Sequence, residues 1–236
     1  MVNSRSNARR RPNSTSPQLL LASGSPRRSD LLQAAGISFE TALSGIEEIT
    51  EPHLTARELT AWNALRKGLA VAKCRPDRVV LAADTVVELA NKIIGKPTDL
   101  THAIRILRSL SGRFHRVYSS VFIAHLDGEM VRLLSEMTVV RFKKLGDRQI
   151  RQYLAKVNPL DKAGAYAAQG HGAEIIAEIK GSYSNVIGLP MEQTLTALKK
   201  FGIAPRRTIR HSPSRSGPES RGADVPTSKP GRGTKR

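Results

Sequence analysis

Gln18-Leu19-Leu20-Leu21-Ala22-Ser23-Gly24-Ser25-Pro26-Arg27-Arg28 decides how this chain begins to fold. The apolar run Leu19 to Ala22 ends close to a glycine, which predicts a buried strand entering a turn. Ser25 is a good helix N-cap and Pro26 suits the first helical position. A helix should therefore follow as far as Gly36, with Leu31, Leu32 and Ala35 on its buried face. Such a strand–turn–helix unit aims free backbone N–H groups and the positive end of the helix dipole into the turn, where anions bind. Ser23 and Ser25 add hydroxyls, Gly24 permits close backbone approach, and Arg27 and Arg28 add guanidinium forks that match phosphate oxygens. Together they point to a polyphosphate ligand, although an arginine pair in a first helical turn also occurs as a plain solvated surface.

Outward from this unit the pattern alternates. Residues 37–43 form a candidate strand, followed by an acidic loop through Glu47, Glu48 and Glu51. From Thr55 to Cys74 a long helix is expected, with Leu59, Trp62, Leu65, Leu69 and Ala72 recurring as its packed face and Lys67 lying away from the middle of that face. Val79 to Ala83 is strand-like and delivers Asp84 at its end, with Val86 to Leu89 and Ile93-Ile94 as further strands. A helix over 100–110 precedes a hairpin between Arg116 and Phe142 that turns at Asp127-Gly128. A helix over 147–157, a glycine-rich stretch at 161–172, strands near 174–179 and 183–187, and a helix over 190–201 complete the pattern. Strands and helices mix throughout, so an α/β fold with a mixed sheet flanked by helices is expected.

Composition narrows the class. The 236 residues are 39% hydrophobic but include only five Phe, four Tyr and one Trp, so aliphatic side chains must fill the core. The lone Cys74 can form no intramolecular disulfide and no thiolate-rich zinc site, and it reads as a small buried hydrophobe at a helix end. Apolar runs fall far short of the ~20 residues a membrane-spanning helix requires. No membrane association is expected, and a reducing cytoplasm is the natural setting.

The formal charge of +18 is unevenly placed. Residues 1–17 hold four Arg and no acid, and residues 204–236 hold nine Lys or Arg against Glu219 and Asp224, so the two flanks carry +11 of the total. Both flanks are rich in Pro, Ser, Gly and Arg and are expected to be disordered basic tails. Weak, salt-dependent contact with RNA, DNA or another acidic surface is a role their charge suggests, against that of a simple solvated extension. The folded domain is expected to span 18–203.

Several residues could carry chemistry. Glu47, Glu48, Asp84 and Glu88 are candidate ligands for a hard cation, and Asp84 stands out because strand ends of open α/β sheets place reactive groups beside the ligand crevice. Lys67 and Lys96 read equally as surface lysines, though Pro97 restricts the direction in which Lys96 points. The small residues of Asp161-Lys162-Ala163-Gly164-Ala165-Tyr166-Ala167-Ala168-Gln169-Gly170 leave room for a flat ligand, and the Gln169 amide could read a base edge. His102, His115, His125 and His171 have no metal-ligand spacing and are taken as structural. No Gly-x-Ser-x-Gly elbow is present, which disfavours a serine hydrolase.

Taken in order, Leu21 to Arg28, Ile46-Glu47-Glu48, Ala83-Asp84-Thr85, Gly95-Lys96-Pro97, Asp161 to Tyr166 and Gly188-Leu189-Pro190 closely resemble the Maf family over residues 18–203. The resemblance implies an ITPase-like fold with two lobes around a deep cleft, and hydrolysis of a nucleoside triphosphate to the monophosphate and pyrophosphate. It also implies a divalent cation, Mg2+ or Mn2+, with Glu48 and Asp84 as its ligands. By position Asp84 matches the catalytic acid/base, and Arg27, Arg28, Glu48, Lys67, Lys96 and Lys162 match active-site polar residues, joined by Ser23 and Ser25 in phosphate binding. Arg27, Thr85 and Gln169 match positions linked to substrate choice. The Ala-Asp-Thr triplet and the Gln before Gly170 resemble the dTTP/UTP pyrophosphatase type, whereas 7-methyl-GTP-type members carry Ser-Asp-Gln and Glu. Ala168 departs from the more usual Ile. A homodimer is the protein partner expected. Two alternatives stand: a pyrophosphatase for another modified nucleotide such as 7-methyl-GTP, and a nucleic-acid-binding or cell-division regulatory module acting through the tails.

Overall fold

The computed structural model describes residues 18–205; the tails and their suggested nucleic-acid contact lie outside the described residues, apart from Ala204 and Pro205, which carry no regular structure. The opening unit forms as its sequence dictates, with β1 (Leu19–Leu21) fully buried and α1 (Pro26–Ala34) beginning on Pro26 after Ser25. The Ser25 side chain itself makes no cap bond. Next come β2 (Phe39–Thr41), α2 (Ala56–Cys74), β3 (Val79–Leu89), β4 (Lys92–Ile94) and α3 (Leu100–Leu110). The long hairpin β5 (Phe114–His125) and β6 (Met130–Phe142) follows, then α4 (Asp147–Leu154), a 3-10 turn over Ala163–Ala165, and α5 (Gly172–Ile175). β7 (Ile176–Lys180), α6 (Tyr183–Ile187) and α7 (Met191–Lys200) close the fold.

The strands build one mixed sheet in the order β2-β1-β3-β5-β6-β7, with β4 on β3. β1 is parallel to β2 and β3, and the remaining pairs are antiparallel. Because side chains alternate along a strand, the two faces carry separate cores. On one face α1 and α7 cover Leu19, Leu21, Leu81, Ala83 and Val121, while further along α3 and α4 cover Val87, Val117, Val140 and Phe142. α2 lies on the opposite face, against Leu20, Val80, Ala82 and Phe122.

Three expectations change. The face of α2 that packs is Ala56, Leu59, Thr60, Asn63, Ala64, Lys67, Gly68, Val71 and Ala72, so Lys67 is buried within it while Trp62 is exposed. Apolar periodicity misplaced the helix because its inner face includes the polar Thr60, Asn63 and Lys67. Gly68 sets the close approach: a Cβ there would lie 2.2 Å from the Phe122 ring. Residues 183–187 form a helix and not a strand, since the Ser182 hydroxyl accepts from the Asn185 N–H as an N-cap. Cys74 is exposed at the end of α2 and is no part of the core. At the hairpin, Asp127-Gly128 occupies the turn as expected, but the left-handed residue is Glu129 (φ 52°), whose N–H closes onto the Leu126 carbonyl at 2.9 Å.

Candidate active site

β3 is longer than either neighbour on its β1 side, and the gap that results is where the site forms. β1 follows β3 only as far as the pair Leu21–Leu81 and a last bond from the Ala22 N–H to the Leu81 carbonyl. β4 joins the same edge from Val87 onward. Between them residues 82–86 have no strand on that edge, their other edge being paired with β5, so the consecutive Asp84 and Thr85 reach a shared cleft from opposite faces of the sheet. The cleft has a volume of about 470 Å³ and is lined by the α1 turn, the Glu48 loop, the Asp161–Gln169 loop and the end of α6.

On the α2 face the charges form a chain. Lys67 Nζ donates to Asp84 Oδ1 at 2.7 Å and to Glu48 Oε1 at 2.7 Å, and Lys96 Nζ donates to Glu48 Oε2 at 3.1 Å. Asn63, one helical turn before Lys67, donates to Asp84 Oδ2 at 3.3 Å and also grips the Ile49 backbone through both ends of its amide. That grip fixes the loop bearing Glu48 against α2. The two carboxylates separate in acidity. Burial pushes the Asp84 carboxyl above its ordinary value, against the pull of Lys67, and the Glu48 charge adds to the rise. Partial burial also acts to raise Glu48, but Lys67 and Lys96 outweigh it and hold that carboxyl at about 2.

On the other face the partners are neutral. Arg28 Nε donates to the Gly188 carbonyl at 2.9 Å, Nη1 to Ser23 Oγ at 3.0 Å and Nη2 to Thr85 Oγ1 at 3.2 Å. Thr85 shares a 2.8 Å bond with Ser119, whose hydroxyl donates to the Asn185 carbonyl. Asn185 is itself held by the Val117 carbonyl and Thr138. Gly188 (φ 126°) occupies the left-handed region, which lets the end of α6 turn its carbonyl toward Arg28. Desolvation lowers the Arg28 pKa while Asp84 and Glu48 oppose it.

At the mouth, Arg27 Nη1 meets Asp161 Oδ2 at 2.6 Å, and Lys162 Nζ meets Asp161 Oδ1 at 2.6 Å. Gln169 lines the cleft with a side chain that makes no hydrogen bond among the described residues. The cleft thus brings together Ser23, Ser25, Arg27, Arg28, Glu48, Lys67, Asp84, Thr85, Lys96, Lys162 and Gln169. Glu47 and Glu88 are not among its lining, and Glu88 instead pairs with Arg116 at 2.9 Å. His115 is buried beside Tyr166, as a structural histidine should be. Sequence reasoning missed Asn63, Ser119, Asn185 and Asp161. Only two of these carried a usable signal: Asn63 shares a helix face with Lys67 by the i, i+4 rule, and Asp161 adjoins Lys162.

The family model for Maf-like proteins matches residues 18–201, from the first residue of the described fold to the end of α7. The chain belongs to the Maf family. A protein from Symbiobacterium thermophilum named dTTP/UTP pyrophosphatase is 44% identical over 185 residues, covering 78% of this chain and 94% of that protein. Proteins of the same name from Pelotomaculum thermopropionicum (42% identical, 78% and 97% covered) and Bacillus cereus (40%, 79% and 91%) are similar over the same length. Among solved structures, the Staphylococcus aureus Ham1 protein matches with a TM-score of 0.46 and 14% identity over 78% of this chain and 98% of that one. Membership thus joins the mixed α/β sheet and its cleft to a family of nucleotide pyrophosphatases.

Proposed function

We propose that this Maf-family hydrolase converts dTTP and UTP to their monophosphates and pyrophosphate, with residues 18–203 as the catalytic unit. The observation that carries the reading is the Glu48–Lys67–Asp84 chain set in one cleft with Arg28 and the N-terminal turn of α1. Relatives at 40–44% identity that bear the dTTP/UTP pyrophosphatase name support it.

The chemistry follows from the charges. Free N–H groups at the start of α1, with Ser23, Ser25, Arg27, Arg28, Lys96 and Lys162, bind the triphosphate oxygens. Arg27 and Lys162 exchange their hold on Asp161 for phosphate when substrate enters. Asp84, with its raised pKa, orients a water and takes its proton as the oxygen attacks the α-phosphorus. The bond from the α-phosphorus to the bridging oxygen breaks, and pyrophosphate leaves with its charge matched by the cationic side chains.

Glu48 and Asp84 are the residues that would hold a divalent cation. Among the described residues no three His, Cys, Asp or Glu side chains converge on one point, so these residues alone form no complete cage. One or two carboxylates combined with substrate phosphates is how magnesium is usually bound, and the donors present fit that arrangement. Mg2+ or Mn2+ arriving with the nucleotide would neutralise phosphate charge.

Base choice falls to Gln169, whose free amide can face the pyrimidine edge. Thr85 acts on substrate choice through the Arg28 that it holds. No helix among the described residues is long and apolar enough to cross a membrane, and a cytoplasmic setting accords with a single exposed cysteine.

The deciding experiment is a panel of canonical and modified triphosphates, 7-methyl-GTP included, assayed for pyrophosphate release with Mg2+ and with Mn2+. Preferred turnover of dTTP and UTP is expected. Preference for a purine, or release of orthophosphate in place of pyrophosphate, would overturn the reading.

A further inference from the structure

The Gln169 amide in the cleft offers both a donor and an acceptor. Thymine and uracil present an O4 acceptor where cytosine presents an N4 amino donor. An amide that turns over about its last bond answers either pattern. The residue type alone therefore selects no base, and selection depends on how rigidly the backbone beside Gln169 is mounted.

That mounting is built from tyrosine. Three of the four tyrosines in the chain fix the three residues before Gln169. Tyr166 turns its ring into the core, edge-on to Phe142 with centroids 4.8 Å apart, and its hydroxyl bonds to His115 Nε2 of β5 at 2.8 Å. Tyr153 of α4 is buried, and its hydroxyl accepts from the Ala167 N–H at 2.9 Å and donates to the Ala167 carbonyl at 3.4 Å. Burial pushes that phenol up to about 12, so it keeps the proton it donates. Tyr183 of α6 donates to the Ala168 carbonyl at 3.0 Å. Each residue from 166 to 168 thus has a tether of its own, to a different element.

The tethers hold a segment whose backbone is under strain. Ala165, fully buried just upstream, has φ 62°, a left-handed conformation uncommon for a residue with a Cβ. Such a conformation persists where its surroundings over-determine it. α6 is fixed in turn by the buried Asn185 amide, which donates to the Val117 carbonyl and to Thr138. The same short helix ends at Gly188, whose carbonyl holds Arg28. One rigid element therefore carries Tyr183 at one end and the Arg28 anchor at the other, relating the Gln169 loop to the arginine.

We propose that Tyr153 and Tyr183 are positioning residues for base selection: their hydroxyls fix the Ala167-Ala168 backbone so that Gln169 presents its amide to the pyrimidine in one orientation. Neither tyrosine lines the cleft, so each acts through Gln169. The proposal rests on the reading of Gln169 as the base-facing residue.

Steady-state kinetics of the full chain with UTP and with CTP test it, read as the ratio of the two kcat/KM values. The wild type is expected to prefer UTP. Tyr153→Phe deletes the Ala167 tether and keeps the ring, and it should lower the ratio about tenfold. Tyr183→Phe should lower it about threefold, because the side chain is 49% exposed and water takes over part of the lost bond. At that exposed position the thermal melt should match the wild type, which keeps the test decisive even if Tyr153→Phe folds poorly. Inhibition by pyrophosphate, which has no base, should stay within about twofold of the wild type in both variants. Gln169→Ala, run alongside, should abolish the preference. If it does so while the tyrosine variants leave the ratio unchanged, or slow UTP and CTP equally, the proposal falls and Gln169 keeps its role. A wild type that treats UTP and CTP alike, or a Gln169→Ala variant with an unchanged ratio, overturns the base-facing assignment and the proposal with it.

Discussion

Asp84 and Thr85 are neighbours on one strand, yet they work in opposite electrostatic settings. On the α2 face, Asp84 belongs to a chain of alternating charge in which Lys67 serves both Asp84 and Glu48. On the α1 face, Thr85 belongs to a network of hydroxyls and carbonyls that holds one cation, Arg28, without any carboxylate contact. On the proposed mechanism, the difference lets one strand prepare a base and an anion site together. A carboxylate poised to take a proton must be desolvated and only partly compensated, whereas a phosphate-binding arginine must be fixed by partners that leave its charge unspent. Putting the two on opposite faces keeps Arg28 from forming a salt bridge with Asp84 and cancelling both.

Breaking the charged face should cost most. Asp84→Asn keeps the shape and removes the base, and turnover should fall by about a thousandfold or more with the circular dichroism spectrum unchanged. Near-normal hydrolysis of dTTP or UTP by that variant would remove Asp84 from the mechanism. Lys67→Met should lower kcat/KM by about a hundredfold and do something the first substitution cannot. Because Lys67 pulls the Asp84 pKa down, its loss raises that pKa further, and the acidic limb of the pH profile should move to higher pH. A limb that stays in place would assign it to a group other than Asp84.

The neutral face should give smaller effects. His115, bonded to Tyr166 at 2.8 Å, has its pKa pushed down to about 4 by burial. In the unfolded chain it titrates near its ordinary value, so between about pH 6.5 and 4 the unfolded state binds more protons and stability falls as pH falls. Across that window the loss is about 2–3 kcal/mol, and urea unfolding of His115→Phe at pH 7 and pH 4.5 should show most of it gone. An equally acid-sensitive variant would place the liability elsewhere. Smallest is Thr85→Val, which deletes one acceptor of Arg28. We expect KM to rise by about tenfold with kcat nearly preserved, and a matching fall in kcat would show that the neutral network also shapes the transition state.

How well the fold could be read depended on which residues carried the signal. β1, α1 and α3 were legible because their apolar periods and end signals agree, and Leu100–Leu110 has the boundaries expected. α2 was legible as a helix but not in its facing. Its buried side includes Lys67 and Asn63, and a lysine in a packed face looks like an error until its partner Asp84 is seen. Residues 183–187 were misread because the β-branched Val186 and Ile187 suit a strand, while the Ser182 cap and the buried Asn185 amide decide for a helix.

By itself the sequence determined the alternation of strands and helices, the strand–turn–helix unit at Ser23–Arg28 proposed to bind phosphate, and most of the polar residues that line the cleft. These are local matters, set by side-chain period, capping chemistry and charge within a few residues. The tertiary structure alone decided that β1 and β4 leave residues 82–86 of β3 uncovered, that Lys67 turns inward to join Asp84 to Glu48, and that Arg28 is held by neutral partners. Apart from the Arg28–Ser23 bond, those depend on contacts between residues 17 to 160 positions apart, where strand length and helix rotation are fixed by packing and not by local preference.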